Sequence, residues 1–185
     1  FTIFEKRDSI GGTWDLFKYP GIRSDSDMFT LGFSFKPWRE RKAIADGPSI
    51  MKYLKETVNE NNLEQNIEYN KSLVKAEWSS DKALWELTIF DSSSNKNVII
   101  SCKFLFMCSG YYSYENGYTP EFKGIENFQG SIIHPQKWTD KINYENKDVV
   151  VNLSTSKIIE DISKKSNASI YQTKIGEPNV TAKLK

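Results

Sequence analysis

Apolar and polar residues follow three rhythms along this chain, and each predicts a kind of element. Phe1-Thr2-Ile3-Phe4 is a short apolar run that stops at an acid, Glu5, which reads as a buried strand reaching its end. Gly11-Gly12 and Pro20-Gly21, set among polar residues, predict a long loop segment. Gly47-Pro48 then opens a helix, with Pro48 suited to its first turn. Ile50, Tyr53, Leu54 and Val58 repeat at helical spacing and make one face apolar; Asn59, Asn61 and Asn62 end it.

The rhythm then changes to strands. Residues 67–78, 84–90 and 98–101 are rich in β-branched and aromatic side chains with partial alternation. Ser79-Ser80-Asp81 and Ser92-Ser93-Ser94-Asn95 supply the turns between them. Phe104-Leu105-Phe106-Met107-Cys108 is continuously apolar and ends in Ser109-Gly110, the pattern expected of a strand buried on both faces of a parallel sheet. A Tyr-, Gly- and Pro-containing loop runs from Tyr111 to Asp140. Asp148-Val149-Val150-Val151 predicts another short buried strand, 155–165 a helix and 168–172 a strand. No internal repeat or low-complexity tract is visible.

Composition narrows the function classes. Lys and Arg total 25 against 24 Asp and Glu, a balance that carries neither a nucleic-acid footprint nor an acidic tail. No apolar run is long enough for a membrane span, and no signal peptide is visible. Cys102 and Cys108, close together in one apolar stretch, are expected to be reduced core residues of a cytoplasmic protein. The chain opens inside an apolar run without a methionine, so a piece cut from a longer protein is expected.

Three constellations carry chemistry. The first is the strand ending in Glu5; in a dinucleotide-binding βαβ unit such an acid accepts hydrogen bonds from ribose hydroxyls. The glycine-rich phosphate loop would lie upstream of it. The second is Gly11-Gly12-Thr13-Trp14 followed by Tyr19-Pro20-Gly21-Ile22-Arg23-Ser24-Asp25. Paired glycines permit close backbone approach. Trp14 offers a broad apolar face, and Arg23 and Asp25 a charged donor and acceptor. The third is Phe128-x-Gly130-x-x-x-His134-x-x-x-Trp138, which contains the chain's single histidine.

The stretch from Glu5-Lys6-Arg7 through Arg23-Ser24-Asp25-Ser26-Asp27-Met28 resembles the FAD-binding segment of class B flavin monooxygenases, the Baeyer–Villiger type. The likeness is strongest to the ethionamide-activating branch. The third constellation is similar to the family's fingerprint, Phe-x-Gly-x-x-x-His-x-x-x-Trp followed by Pro or Asp, where this chain has Thr139. Ala43-Ile44-Ala45-Asp46-Gly47, Phe104 through Tyr112, and His134-Pro135-Gln136 reinforce the likeness.

The resemblance implies an α/β flavoprotein with two dinucleotide-binding domains of Rossmann type and a small antiparallel β insertion. Residues 1–127 would be a partial FAD-binding domain lacking its first βα unit, 128–146 a linker, and 147–185 the start of an NADPH-binding domain. FAD contacts are expected from Glu5, Thr13, Trp14, Asp15, Leu16, Asp25 and Leu73, and NADP contacts from Arg23, Ser24 and Asp25. Phe128, Gly130, His134 and Trp138 would couple domain movement to turnover. No catalytic residue and no metal ligand is nominated. The implied reaction uses FAD, NADPH and O2 to oxygenate a small ketone or thio compound.

Two rival readings are carried. An N-oxygenating flavin monooxygenase would have Tyr in place of Trp138. A non-catalytic decayed copy is favoured by Asn152-Leu153-Ser154-Thr155, where the family's second phosphate loop has Gly-x-Gly. Beyond about residue 152 the resemblance is expected to fade.

Overall fold

The computed structural model describes residues 1–121, 123–143, 149–152, 158–165 and 167–173. Strand β1 (Ile3–Phe4) pairs in parallel with β2 (Ile67–Glu68), Ile3 opposite Ile67. Between them the chain forms two single-turn helices, α1 (Thr13–Leu16) and α2 (Met28–Leu31), and one long helix, α3 (Gly47–Glu60).

Helix α3 is the predicted one. Asp46 caps its start by accepting from the Ser49 N–H at 2.9 Å, and Pro48 occupies its first turn. At its other end the Leu63 N–H reaches back to the Val58 carbonyl and Asn62 adopts φ +52°. The left-handed residue turns the chain and satisfies carbonyls that the helix leaves open. Ile50, Tyr53 and Thr57 are buried.

The core forms around α3. Ile50 and Tyr53 pack with Met28, Trp38 and Ala45, and Trp14 and Leu54 lie partly buried against this cluster. Met28, Trp38 and Ala45 come from the segment that the sequence pattern assigns to loop. Their contribution is tertiary: the segment folds back on α3, and Trp38 satisfies its indole N–H on the Lys42 carbonyl at 3.0 Å. The Tyr53 hydroxyl accepts from the Phe33 N–H at 2.8 Å and donates to the Lys36 carbonyl, pinning residues 33–36 to the helix.

The antiparallel insertion is three-stranded: β3 (Lys71–Ser79), β4 (Leu84–Asp91) and β5 (Lys96–Cys102) in sequential order. Leu87 and Ile89 are its buried residues. A bulge interrupts the register between Leu73 and Lys75. Lys71 and Asp91, paired across the strands, form an ion pair at 2.6 Å. Hydrogen bonds to Lys71 and Ser94 hold the Asp91 carboxyl well below its ordinary value.

Residues 104–108 form no strand, contrary to the sequence pattern. Phe104 and Phe106 are 80% and 84% exposed. A strand exists only where neighbours complete its hydrogen bonds, and no strand among the described residues runs beside this one. Cys102 and Cys108 are free thiols, the first partly buried and the second exposed; the expectation that both lie in a core fails with that missing strand.

Further on, β6 (Val149–Asn152), α4 (Ile158–Lys165) and β7 (Ile170–Thr173) complete a strand–helix–strand unit whose two strands pair in parallel. Asp148, the first residues assigned to the helix (155–157), and Leu153, Ser154 and Thr155 of the altered phosphate loop lie outside the described residues.

Candidate functional site

The site grows from the end of β1. The Glu5 N–H donates to the Glu68 carbonyl at 3.0 Å, and the Glu5 carbonyl accepts from the Lys71 N–H at 2.9 Å. Both bonds fix the backbone on which the Glu5 carboxylate stands and bring the start of β3, with Leu73 two residues on, beside it. Glu5 Oε1 accepts from the Arg7 N–H at 2.9 Å, so the acid is held in place by its own turn.

Arg7 then reaches forward. Its guanidinium donates to the Gly12 carbonyl at 3.3 Å and to Asp15 Oδ2 at 2.7 Å. Ser9 and Lys18 also donate to the Asp15 carboxylate, at 3.0 and 3.2 Å. Partial burial raises the Asp15 pKa, but these donors outweigh it and the group lies below its ordinary value. The Asp15 carboxylate is therefore occupied in closing the loop between Glu5 and α1.

Gly11 and Gly12 have φ +110° and +48°, angles that L side chains rarely adopt. The space they leave is filled by protein. A Cβ at Gly11 would meet the Met51 thioether, its Cε at 2.7 Å, and one at Gly12 would meet the Tyr114 hydroxyl at 3.0 Å. The close approach that the glycine pair permits is thus to α3 and to the segment after Gly110. Trp14 lies partly buried against the core cluster.

Arg23, Ser24 and Asp25 divide by exposure. Ser24 is 1% exposed; its N–H donates to the Ala45 carbonyl at 2.8 Å and its Oγ accepts from the Ala45 N–H at 3.1 Å. Its flanks, Arg23 and Asp25, are exposed. Ser24 thus anchors the triplet while its neighbours face outward. The Tyr112 phenol is raised above its ordinary value, first by its hydrogen bond with Tyr111 and then by that neighbour's charge.

Tyr112 begins a contact segment that the sequence pattern did not mark as functional. Its ring meets Phe17 edge-on at 5.7 Å between centroids. Tyr114 lies on Gly12, and Glu115 pairs with Lys6. The signal available was only a cluster of tyrosines after Gly110, which does not reveal the surface it covers.

The fingerprint residues are met from the other side. His134 starts a short 3-10 turn over Pro135–Lys137, and its Nδ1 accepts from the Gln136 N–H at 3.2 Å. The Gln136 side chain donates to the Ser113 carbonyl at 2.6 Å. Gly130 lies against the Phe128 ring, whose Cε1 would be 2.7 Å from a Cβ there. Phe128 is half-exposed and Trp138 partly buried.

A carboxylate at the end of a parallel strand, an indole beside a glycine turn, and the exposed Arg23 and Asp25 form a set of acceptors, donor and apolar face that suits a dinucleotide with a planar ring. The chain belongs to the flavin-binding monooxygenase-like family, whose model matches residues 33–182. That match continues past residue 152, where the resemblance was expected to fade.

Within the family, the chain is 52% identical over 151 residues to the FAD-containing monooxygenase EthA of Mycolicibacterium smegmatis. It is 49% identical over 151 residues to EthA of Mycobacterium tuberculosis. Each alignment covers 82% of this chain and 30% of the relative, so the chain spans about a third of the relatives' length. Among solved structures, an oxidized steroid monooxygenase bound to NADP matches with a TM-score of 0.67 and 26% identity, covering 92% of this chain and 33% of that one. A cyclohexanone monooxygenase mutant from Rhodococcus bound to NADP+ matches in fold with a TM-score of 0.69 at 22% identity, covering 98% of this chain and 37% of that one. The two-dinucleotide-domain flavoprotein fold expected from the sequence is thereby established, of which this chain is a part.

Proposed function

We propose that this chain is the FAD-side part, with the interdomain linker, of an FAD- and NADPH-dependent monooxygenase acting on a small ketone or thio compound. Residues 1–127, 128–146 and 147–185 are then FAD-binding, linking and NADPH-binding segments. When bound, reduced flavin would use O2 to put one oxygen atom into the substrate and release the other as water.

The chain's own residues have defined tasks in this reading. Glu5 accepts from the adenosine ribose hydroxyls, its carboxylate already oriented by the Arg7 N–H. Trp14 flanks the flavin nucleotide, with Thr13 and Leu16 contributing from the same turn. Asp15 serves mainly by holding that turn through Arg7. Leu73 contributes from the bulged start of β3. Arg23 and Asp25 meet NADP and flavin from the exposed flanks of the anchored Ser24. Phe128, Gly130, His134 and Trp138 transmit domain movement.

The observation that carries the reading is that the fingerprint turn at His134 is hydrogen-bonded to the segment that lies on Gly12. A cytoplasmic location accompanies the reading, since NADPH is found there. Among the described residues no helix is long and apolar enough to cross a membrane.

The test is a chimera in which the 151 aligned residues of this chain replace their matched counterparts in Mycolicibacterium smegmatis EthA. We expect bound FAD, NADPH-dependent O2 uptake and oxygenated product from a ketone or a thioether. Glu5→Ala should weaken FAD binding by about 1.5–3 kcal/mol, the worth of a charge-assisted hydrogen bond. A folded chimera without flavin would refute the cofactor assignment. Bound flavin without oxygenation would favour the non-catalytic reading.

A further inference from the structure

Gly117 has no place in the sequence motifs, yet it sits where the fingerprint histidine rests. A Cβ built on Gly117 would lie 2.5 Å from His134 Nδ1 and nearer still to Cε1 and Nε2. The Nδ1–Cε1–Nε2 edge of the ring thus fills the space that any side chain at 117 would need. Gly117 is absent from the residues with positive φ, so its backbone would accept alanine. The glycine is required for room, not for conformation.

Gly117 also ends the segment that bears on the flavin-side turn. Ser113 accepts from Gln136 at 2.6 Å, Tyr114 lies on Gly12, and Glu115 pairs with Lys6. The fingerprint turn therefore grips this segment at both ends, at Ser113 through a hydrogen bond and at Gly117 through packing.

We propose that Gly117 is a positioning residue: its missing side chain seats the His134 ring, and the seated ring carries the placement of the fingerprint turn through residues 113–117 to Gly12. A displaced ring would shift its Nδ1 away from the Gln136 N–H, loosening the turn whose side chain holds Ser113. The functional meaning of the seat rests on the monooxygenase reading; its existence does not, and it is tested without cofactor.

The test uses the 185-residue chain and four proteins: wild type, Gly117→Ala, His134→Ala and the double variant. Thermal melting reads the cycle. Gly117→Ala should lower the melting temperature by several degrees when His134 is present and should not lower it in the His134→Ala background. If Gly117→Ala fails to fold while the double variant folds, the seat is supported. Equal losses in both backgrounds, or a double variant that also fails to fold, would overturn it.

NMR of the ¹⁵N-labelled chain reads the geometry, and the single histidine makes the ring signals unambiguous. In wild type in alkaline buffer, Nδ1 should show the signature of an acceptor and Nε2 that of N–H. Gly117→Ala should replace this with exchange between tautomers and should move the amide signals of Ser113 and Gly12. Unchanged ring signals would overturn the seat. A Gly12 amide that stays in place would overturn the transmission to the flavin-side turn.

Discussion

Asp46 shows how much one side chain decides. It caps α3 through the Ser49 N–H, and its pKa is lowered to about 2, first by the Ser49 hydroxyl and N–H and then by Lys42. Asp46→Ala should destabilise the chain by about 1 kcal/mol, read by urea unfolding at neutral pH. Because the folded pKa lies below the unfolded value of 3.8, the stabilisation is complete above about pH 4 and lost as pH falls through 2. Wild type and Asp46→Ala should therefore converge in acid. Gly11 gives the contrasting case to Gly117. Its φ of +110° is itself hostile to a side chain, so Gly11→Ala should cost about 1–3 kcal/mol. Adding Met51→Ala, which clears the space, should not restore the loss. Full rescue would show that crowding, not backbone strain, governs Gly11.

At the scale of elements, α3 was legible because its signals are local: a capping acid, a proline in the first turn, apolar residues at helical spacing and asparagines at the end. The sequence pattern did not reveal what α3 organises. Tyr53 holds residues 33–36 through one hydroxyl that both accepts and donates. Tyr53→Phe keeps the ring packed on Trp38 but leaves the Phe33 N–H and Lys36 carbonyl without that partner. A loss of about 1 kcal/mol is expected, with amide exchange at Phe33 speeding up. Unchanged exchange there would mean that the hydroxyl does not hold the segment. The antiparallel insertion was equally legible, since its strands pair in sequence order across short turns. The reading of 104–108 failed because an apolar run states a preference for burial without supplying neighbours.

For the whole molecule, that failure has a physical consequence. Phe1, Phe104 and Phe106 are among the most exposed apolar side chains, and Phe29, Leu31, Phe33 and Phe35 add a second exposed series. Exposed apolar surface drives association. The 185-residue chain should therefore associate as its concentration rises in sedimentation velocity, and Phe104→Asp with Phe106→Asp should reduce this. A chain that stays monomeric at all concentrations would show that these residues find cover within it.

The sequence by itself determined the family, the motifs and the local elements. Glycine pairs, capping residues, periodic faces and the Phe128-to-Trp138 spacing are properties of adjacent residues, readable without a fold. It placed Glu5, Trp14 and His134 at positions whose chemistry suits their proposed tasks. Only the tertiary structure decided what those residues touch. It committed the Asp15 carboxylate to Arg7 and sealed Ser24 against Ala45. It gave Gly11 and Gly12 to Met51 and Tyr114, and made Gly117 the seat of His134. These outcomes depend on which distant segments compete for the same space. Chain spacing does not encode that competition, because close packing settles it only when all the segments are in place.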